Sequence, residues 1–107
     1  MKAYVVLITA PADGDAAERL ARALVEERLA ACVNRVPGLI STYWWEGKIE
    51  EDREELLVVK TTEDRLEALL KRVPELHPYS VPEILALTVE QGHPPYLEWL
   101  VASTRFS

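Results

Sequence analysis

The chain has 107 residues, 49% of them hydrophobic and 28% charged, with a net charge of −6. That is the make-up of one folded domain with one core, and it excludes a disordered segment. The acidic balance argues against nucleic acid, whose phosphates need a basic face.

Lys2 to Ala10 is continuously apolar and rich in β-branched residues, which predicts a central strand covered on both faces. The run is too short to span a bilayer and ends in a turn, so no membrane segment or signal peptide is expected there. Ala12-Asp13-Gly14-Asp15 is that turn, with an Asp available as N-cap. Ala17, Leu20, Ala21 and Leu24 then recur at helical spacing, predicting an amphipathic helix to about Leu29.

A second strand starts at Ala31 and resumes from Leu39 to Trp45 after Pro37-Gly38. A proline inside a strand marks an edge or a bulge. Glu46-Gly47-Lys48 reads as a hairpin turn, and Ile49 to Thr61 as the returning strand. Thr61-Thr62-Glu63-Asp64 starts a helix with acids in its first turn; Leu66, Leu69, Leu70 and Val73 form its apolar stripe, and Pro74 is expected to end it. Ile84 to Val89 reads as a fourth strand. A proline then opens a short helix carrying Tyr96, Trp99 and Leu100 on one face.

The order predicts an α+β fold: a ferredoxin-like βαββαβ sandwich with a C-terminal helix, its first and third strands central. No linker or repeat divides residues 1–107, so a single domain is expected. The hairpin arms are longer than the usual strand of about 5–6 residues. Overlong edge strands invite pairing with another chain. Tyr43, Trp44 and Trp45 near the tip therefore suggest a subunit interface.

Cys32 is the only cysteine, so no intramolecular disulfide forms, which favours a reducing, cytoplasmic setting. Few thermolabile side chains are present: Asn34 and Gln91 are the only amides and Met1 the only methionine. This composition fits a thermostable protein.

Leu76-His77-Pro78-Tyr79-Ser80-Val81-Pro82-Glu83-Ile84 is a proline-stiffened loop carrying one of two histidines. His77 either ligates a metal such as copper or zinc, or packs as a structural histidine. Cys32 offers a soft ligand or a small buried hydrophobe. His93, beside Pro94, reads first as a solvated turn residue. The acids Glu46, Glu50, Glu51, Asp52, Glu54 and Glu55 read as a solvated strand edge whose side chains alternate and do not converge. No nucleophile elbow, phosphate loop or dinucleotide fingerprint is present, and the chain does not read as an enzyme.

Several segments together are more specific than any one motif: Thr9-Ala10-Pro11, Leu29-Ala30-Ala31-Cys32-Val33-Asn34, Ser41-Thr42-Tyr43-Trp44-Trp45-Glu46-Gly47-Lys48-Ile49, Lys60-Thr61-Thr62, the His77 loop, and Tyr96-Leu97-Glu98-Trp99-Leu100. With these the chain resembles the CutA family, the divalent-cation tolerance proteins. The resemblance implies a homotrimer built by strand pairing between subunits, a cytoplasmic bacterial location, and tolerance to divalent metal ions, with Cu2+ as the proposed ligand. Copper-binding members of the family use a first-strand cysteine and a doubled histidine before Pro-Tyr. Here those positions hold Ile8 and Leu76-His77, so only His77 carries over. A more distant likeness to trimeric PII proteins implies the alternative: a signalling or scaffold trimer binding a metabolite or protein in clefts between subunits, lined by the His77 loop, Tyr79, Trp45 and Lys60.

Overall fold

The structure is a computed structural model, and it describes residues 1–105. Strand β1 (Ala3–Pro11) leads to helix α1 (Ala16–Glu26), then to the long strands β2 (Cys32–Trp45) and β3 (Lys48–Thr62). Helix α2 (Glu63–Leu76), strand β4 (Ile84–Val89) and helix α3 (Pro94–Ser103) follow. The four strands form one antiparallel sheet in the order β2-β3-β1-β4. As expected, β1 and β3 are central.

The core lies on one face of this sheet. Val6, Ile8 and Ala10 of β1 alternate toward it, as do Leu57 and Val59 of β3. Leu20 and Leu24 of α1 and Leu69 and Val73 of α2 close over them. Buried hydroxyls tie the frame at its ends: Thr61 Oγ1 donates to the Leu29 carbonyl at 2.6 Å, and Thr62 Oγ1 meets Thr104 Oγ1 at 3.2 Å. Arg72 clamps the two helices, its Nε 3.0 Å and Nη2 3.1 Å from the two Glu27 carboxylate oxygens.

Neither α1 nor α2 covers the second face of the sheet, and α3 meets only its end at Cys32 and Thr62, where Thr104 reaches Thr62 and Tyr96 reaches Cys32, so the middle of β1 is not doubly covered as expected. Cross-strand pairing sets Leu7 beside Leu85 and Val58, and Val5 beside Leu87. Leu85 is 54% exposed and Leu87 51%. The continuous apolar run of β1 is thus real, but this single chain covers only half of it.

Turn chemistry explains the remaining local differences. At the hairpin tip Glu46 (φ 49°) and Gly47 (φ 80°) both take the left-handed conformation that a two-residue turn between twisted strands needs. Pro37 and Gly38 do not break β2. The register shifts between Val36 and Leu39, with Gly38 at φ 84°, so the proline sits in a bulge on an edge strand. Helix α1 stops before Leu29 because Arg28 turns left-handed (φ 61°), and the Leu29 and Ala30 N–H groups both return to the Leu24 carbonyl. Asp15 stands at the N-cap position, but its carboxylate pairs with Arg19 at 3.0 Å instead of capping. Pro74 lies within α2 and does not end it. A proline in the last turn forfeits one backbone bond; the turn survives because Val73 is anchored in the core and its carbonyl still accepts the His77 N–H at 2.9 Å. On α3 only Leu100 is buried; Tyr96 and Trp99 pair with each other outside, ring centroids 5.5 Å apart.

A candidate ligand groove beside the His77 loop

His77 is 7% exposed and both of its ring nitrogens are used. Its Nε2 lies 2.7 Å from the Thr9 carbonyl, and its Nδ1 accepts the Tyr79 N–H at 3.1 Å. Those partners define one tautomer, with the proton on Nε2. The sheet explains the need. Pairing of β1 with β4 ends at Ile8 and Ile84, so the Thr9 carbonyl lies past the last rung, and the imidazole takes the place of the missing strand. Pro78 and Pro82 stiffen the loop that returns the chain to β4.

The Tyr79 ring leans on His77, centroids 4.8 Å apart, and its hydroxyl donates to Glu54 Oε2 at 2.9 Å. Across the hairpin, the Tyr43 hydroxyl donates to Asp52 Oδ2. These groups wall a groove of about 670 Å³ between the hairpin and the His77 loop, with Trp45 and Glu83 also in its lining. Its ionisable carboxylates are Asp52, Glu54 and Glu83, and no lysine or arginine lines it.

Tyr43 is pushed up to about 12, first by its hydrogen bond to Asp52 and then by burial. Burial, and next the bond to Glu54, raise Tyr79 further. A phenol held above its unfolded value of about 10 stabilises the fold fully below that pH, and the contribution disappears as pH rises through the folded value. The Tyr43 contribution is therefore expected to fade between about pH 10 and 12. In an alkaline titration followed by phenolate absorbance, Asp52→Asn should return one phenol toward the ordinary range; an unchanged curve would refute the assignment.

The residues singled out by sequence are dispersed. Trp45 and Tyr79 line the groove; Lys60 does not. Lys60 pairs with Val5 and Cys32 on the sheet, about 20 Å along β3 from Glu54 at roughly 3.3 Å per residue. Strand spacing separates it from the two aromatics, so a cleft joining all three does not form within the chain. Cys32 is half-buried, and its thiol neighbours Tyr96, whose phenol is raised by burial first and by Cys32 second. It does not meet His77, which bonds to β1 about 13 Å further along the strand. Among the described residues no three His, Cys, Asp or Glu side chains gather as a metal-binding group. His77, with both nitrogens engaged, does not fit a closed copper site. Tyr43 borders the groove, while Trp44, 73% exposed, points away from the chain's own core.

Glu54 is the residue that sequence reasoning missed. The acidic run was expected to lie solvated, yet Glu54 is only 6% exposed. The alternation holds; what it conceals is that Asp52 and Glu54 share a face, and hairpin register sets them opposite Ser41 and Leu39. The signal available was this same-face pair, followed on its own face by apolar Leu56 and Val58.

A four-stranded antiparallel sheet with two helices on one face and a groove beside a long hairpin defines a small α+β domain. Residues 4–103 match the family described as CutA1 divalent ion tolerance protein. The chain is 56% identical over 100 residues to the divalent-cation tolerance protein CutA of Thermus thermophilus, covering 94% of this chain and 96% of that one. It is 52% identical over 103 residues to the chloroplastic protein CutA 1 of rice, where it spans 96% of its own length and 58% of the rice protein's. The crystal structure of CutA1 from Oryza sativa superposes with a TM-score of 0.93 at 50% identity, covering 100% of this chain and 97% of that one. The chain belongs to the CutA family of divalent-cation tolerance proteins.

Proposed function

We propose that this protein works in divalent-cation tolerance as a cytoplasmic, non-enzymatic, thermostable homotrimer of ferredoxin-like subunits, with copper as a weakly held ligand. Family membership supports the tolerance role. The observation that carries a binding role is the groove, whose ionisable side chains in the described residues include three carboxylates and no lysine or arginine. Such a lining concentrates cations and repels anions. The cytoplasmic reading rests on the single free Cys32.

Copper held through His77 has to displace either the Thr9 or the Tyr79 hydrogen bond, which makes any such contact weak. The test is a calorimetric Cu(II) titration of metal-stripped protein beside His77→Ala and His93→Ala, with electron paramagnetic resonance for imidazole nitrogen. Saturable binding lost only in His77→Ala is the expected result. Binding absent throughout, or unchanged by His77→Ala, would remove His77 as a ligand.

The groove also favours the second reading, a PII-like signalling or scaffold trimer. Trp45 and Tyr79 line the groove and support a cleft there, while a cation such as Lys60 would have to come from a neighbouring subunit, since one chain's groove holds no lysine or arginine among the described residues.

A further inference from the structure

We infer that the groove binds an organic cation, a guanidinium or alkylammonium group, seated against Tyr43, Trp45 and Tyr79 and held by Glu54. This deepens the reading of the groove as a binding site and does not rest on copper binding.

Glu54 is the reason. It is 94% withdrawn from solvent (6% exposed), yet no arginine or lysine pairs with it among the described residues. Oε2 accepts the neutral Tyr79 hydroxyl; Oε1 accepts no hydrogen bond from the described residues and is not sealed in, which leaves it facing the groove. A buried carboxylate without a counter-charge is costly, and the cost falls when a cation arrives. Nearby Arg35 is no candidate, since Glu55 already holds it in two 2.9 Å bonds.

The walls choose the kind of cation. A metal ion needs several converging ligands, and no three His, Cys, Asp or Glu side chains converge here among the described residues. Aromatic faces attract a cationic nitrogen through their quadrupole, and a carboxylate pairs with it by charge-assisted hydrogen bonds. Tyr43 and Tyr79 are themselves fixed by their bonds to Asp52 and Glu54, so the aromatic walls are set before the ligand enters. The volume, about 670 Å³, admits a group of this size. The cation has two sources, a free small molecule or an arginine or lysine side chain from a second copy of this chain.

The experiment titrates chelator-washed protein with ethylguanidinium chloride, using neutral ethylurea as the same-shape control. It follows the Trp45 indole N–H by NMR, assigned with Trp45→Phe. A parallel arm measures the oligomeric state of the wild type and Glu54→Gln by analytical ultracentrifugation. Saturable shifts with ethylguanidinium alone, weakened at least about tenfold in Glu54→Gln and kept in Tyr79→Phe, identify a free cation. No shift in the wild type, together with at least about tenfold weaker assembly of a folded Glu54→Gln, identifies a side chain of the neighbouring copy. Shifts that ethylurea reproduces, shifts that survive in Glu54→Gln, or silence in both arms would overturn the inference. Copper titration is independent of all of these outcomes.

Discussion

His77→Ala is expected to lower the unfolding free energy by about 2–4 kcal/mol, with or without metal present. The substitution leaves the Thr9 carbonyl and the Tyr79 N–H without their partners, in a place that is 7% exposed at the imidazole. Each abandoned buried group costs about 1–3 kcal/mol. The Tyr79 ring also loses its neighbour at 4.8 Å, and with it part of what holds the hydroxyl on Glu54. His77→Gln keeps a donor for Thr9 and should recover part of the loss. Urea unfolding at one fixed chain concentration, in chelator, reads the effect cleanly, because the proposed assembly would make stability depend on concentration. A loss below about 0.5 kcal/mol would mean that the imidazole is not needed for the loop, and would restore a metal role as its reason for being there.

The same residue shows how far sequence reasoning reaches. A histidine between prolines before a strand marks a defined loop, and the loop is defined. Whether its nitrogens face a metal or a carbonyl depends on where β4 stops pairing with β1, and that register is a non-local fact. The elements themselves were legible wherever one physical signal dominated. The two amphipathic stripes produced α1 and α2, and the alternating and apolar runs produced four strands with the first and third central. Asp15 stands at the expected helix start, but a rival partner took its carboxylate, which pairs with Arg19 rather than the helix end. Pro74 misled because a proline's effect depends on how well the next turn is anchored, and Val73 anchors it. Lys60 and Trp45 both belong to the long hairpin, but the strand separates them. Glu54 hid in an acidic run whose solvation looked uniform, since no local pattern says which carboxylate the neighbouring loop will cover.

Leu85→Lys is expected to raise the dissociation concentration of the assembly by about a hundredfold or more while leaving the single chain folded. Leu85 and Leu87 are half-exposed beside Leu7 and Val5, on the sheet face that neither α1 nor α2 covers. An apolar surface of this continuity on two adjacent strands is unusual for a lone chain and suits contact with other copies. Because Leu85 lies outside the helix-covered core, lysine there costs the isolated subunit little. Buried between subunits, an unpaired ammonium costs several kcal/mol, and each 1.4 kcal/mol is a factor of about ten in dissociation. The hairpin supplies a second, separable contribution. Trp44 at 73% exposure and Ile49 at 63% pair across the strands far from the chain's own core, so Trp44→Ala should weaken assembly without touching that core. Sedimentation over a dilution series, with far-UV circular dichroism to confirm folded subunits, distinguishes the two surfaces. If Leu85→Lys assembles like the wild type while Trp44→Ala does not, the subunits meet through their hairpins alone. If neither changes, the sheet face and the hairpin tip are both free of the interface, and the proposed mode of trimer assembly fails.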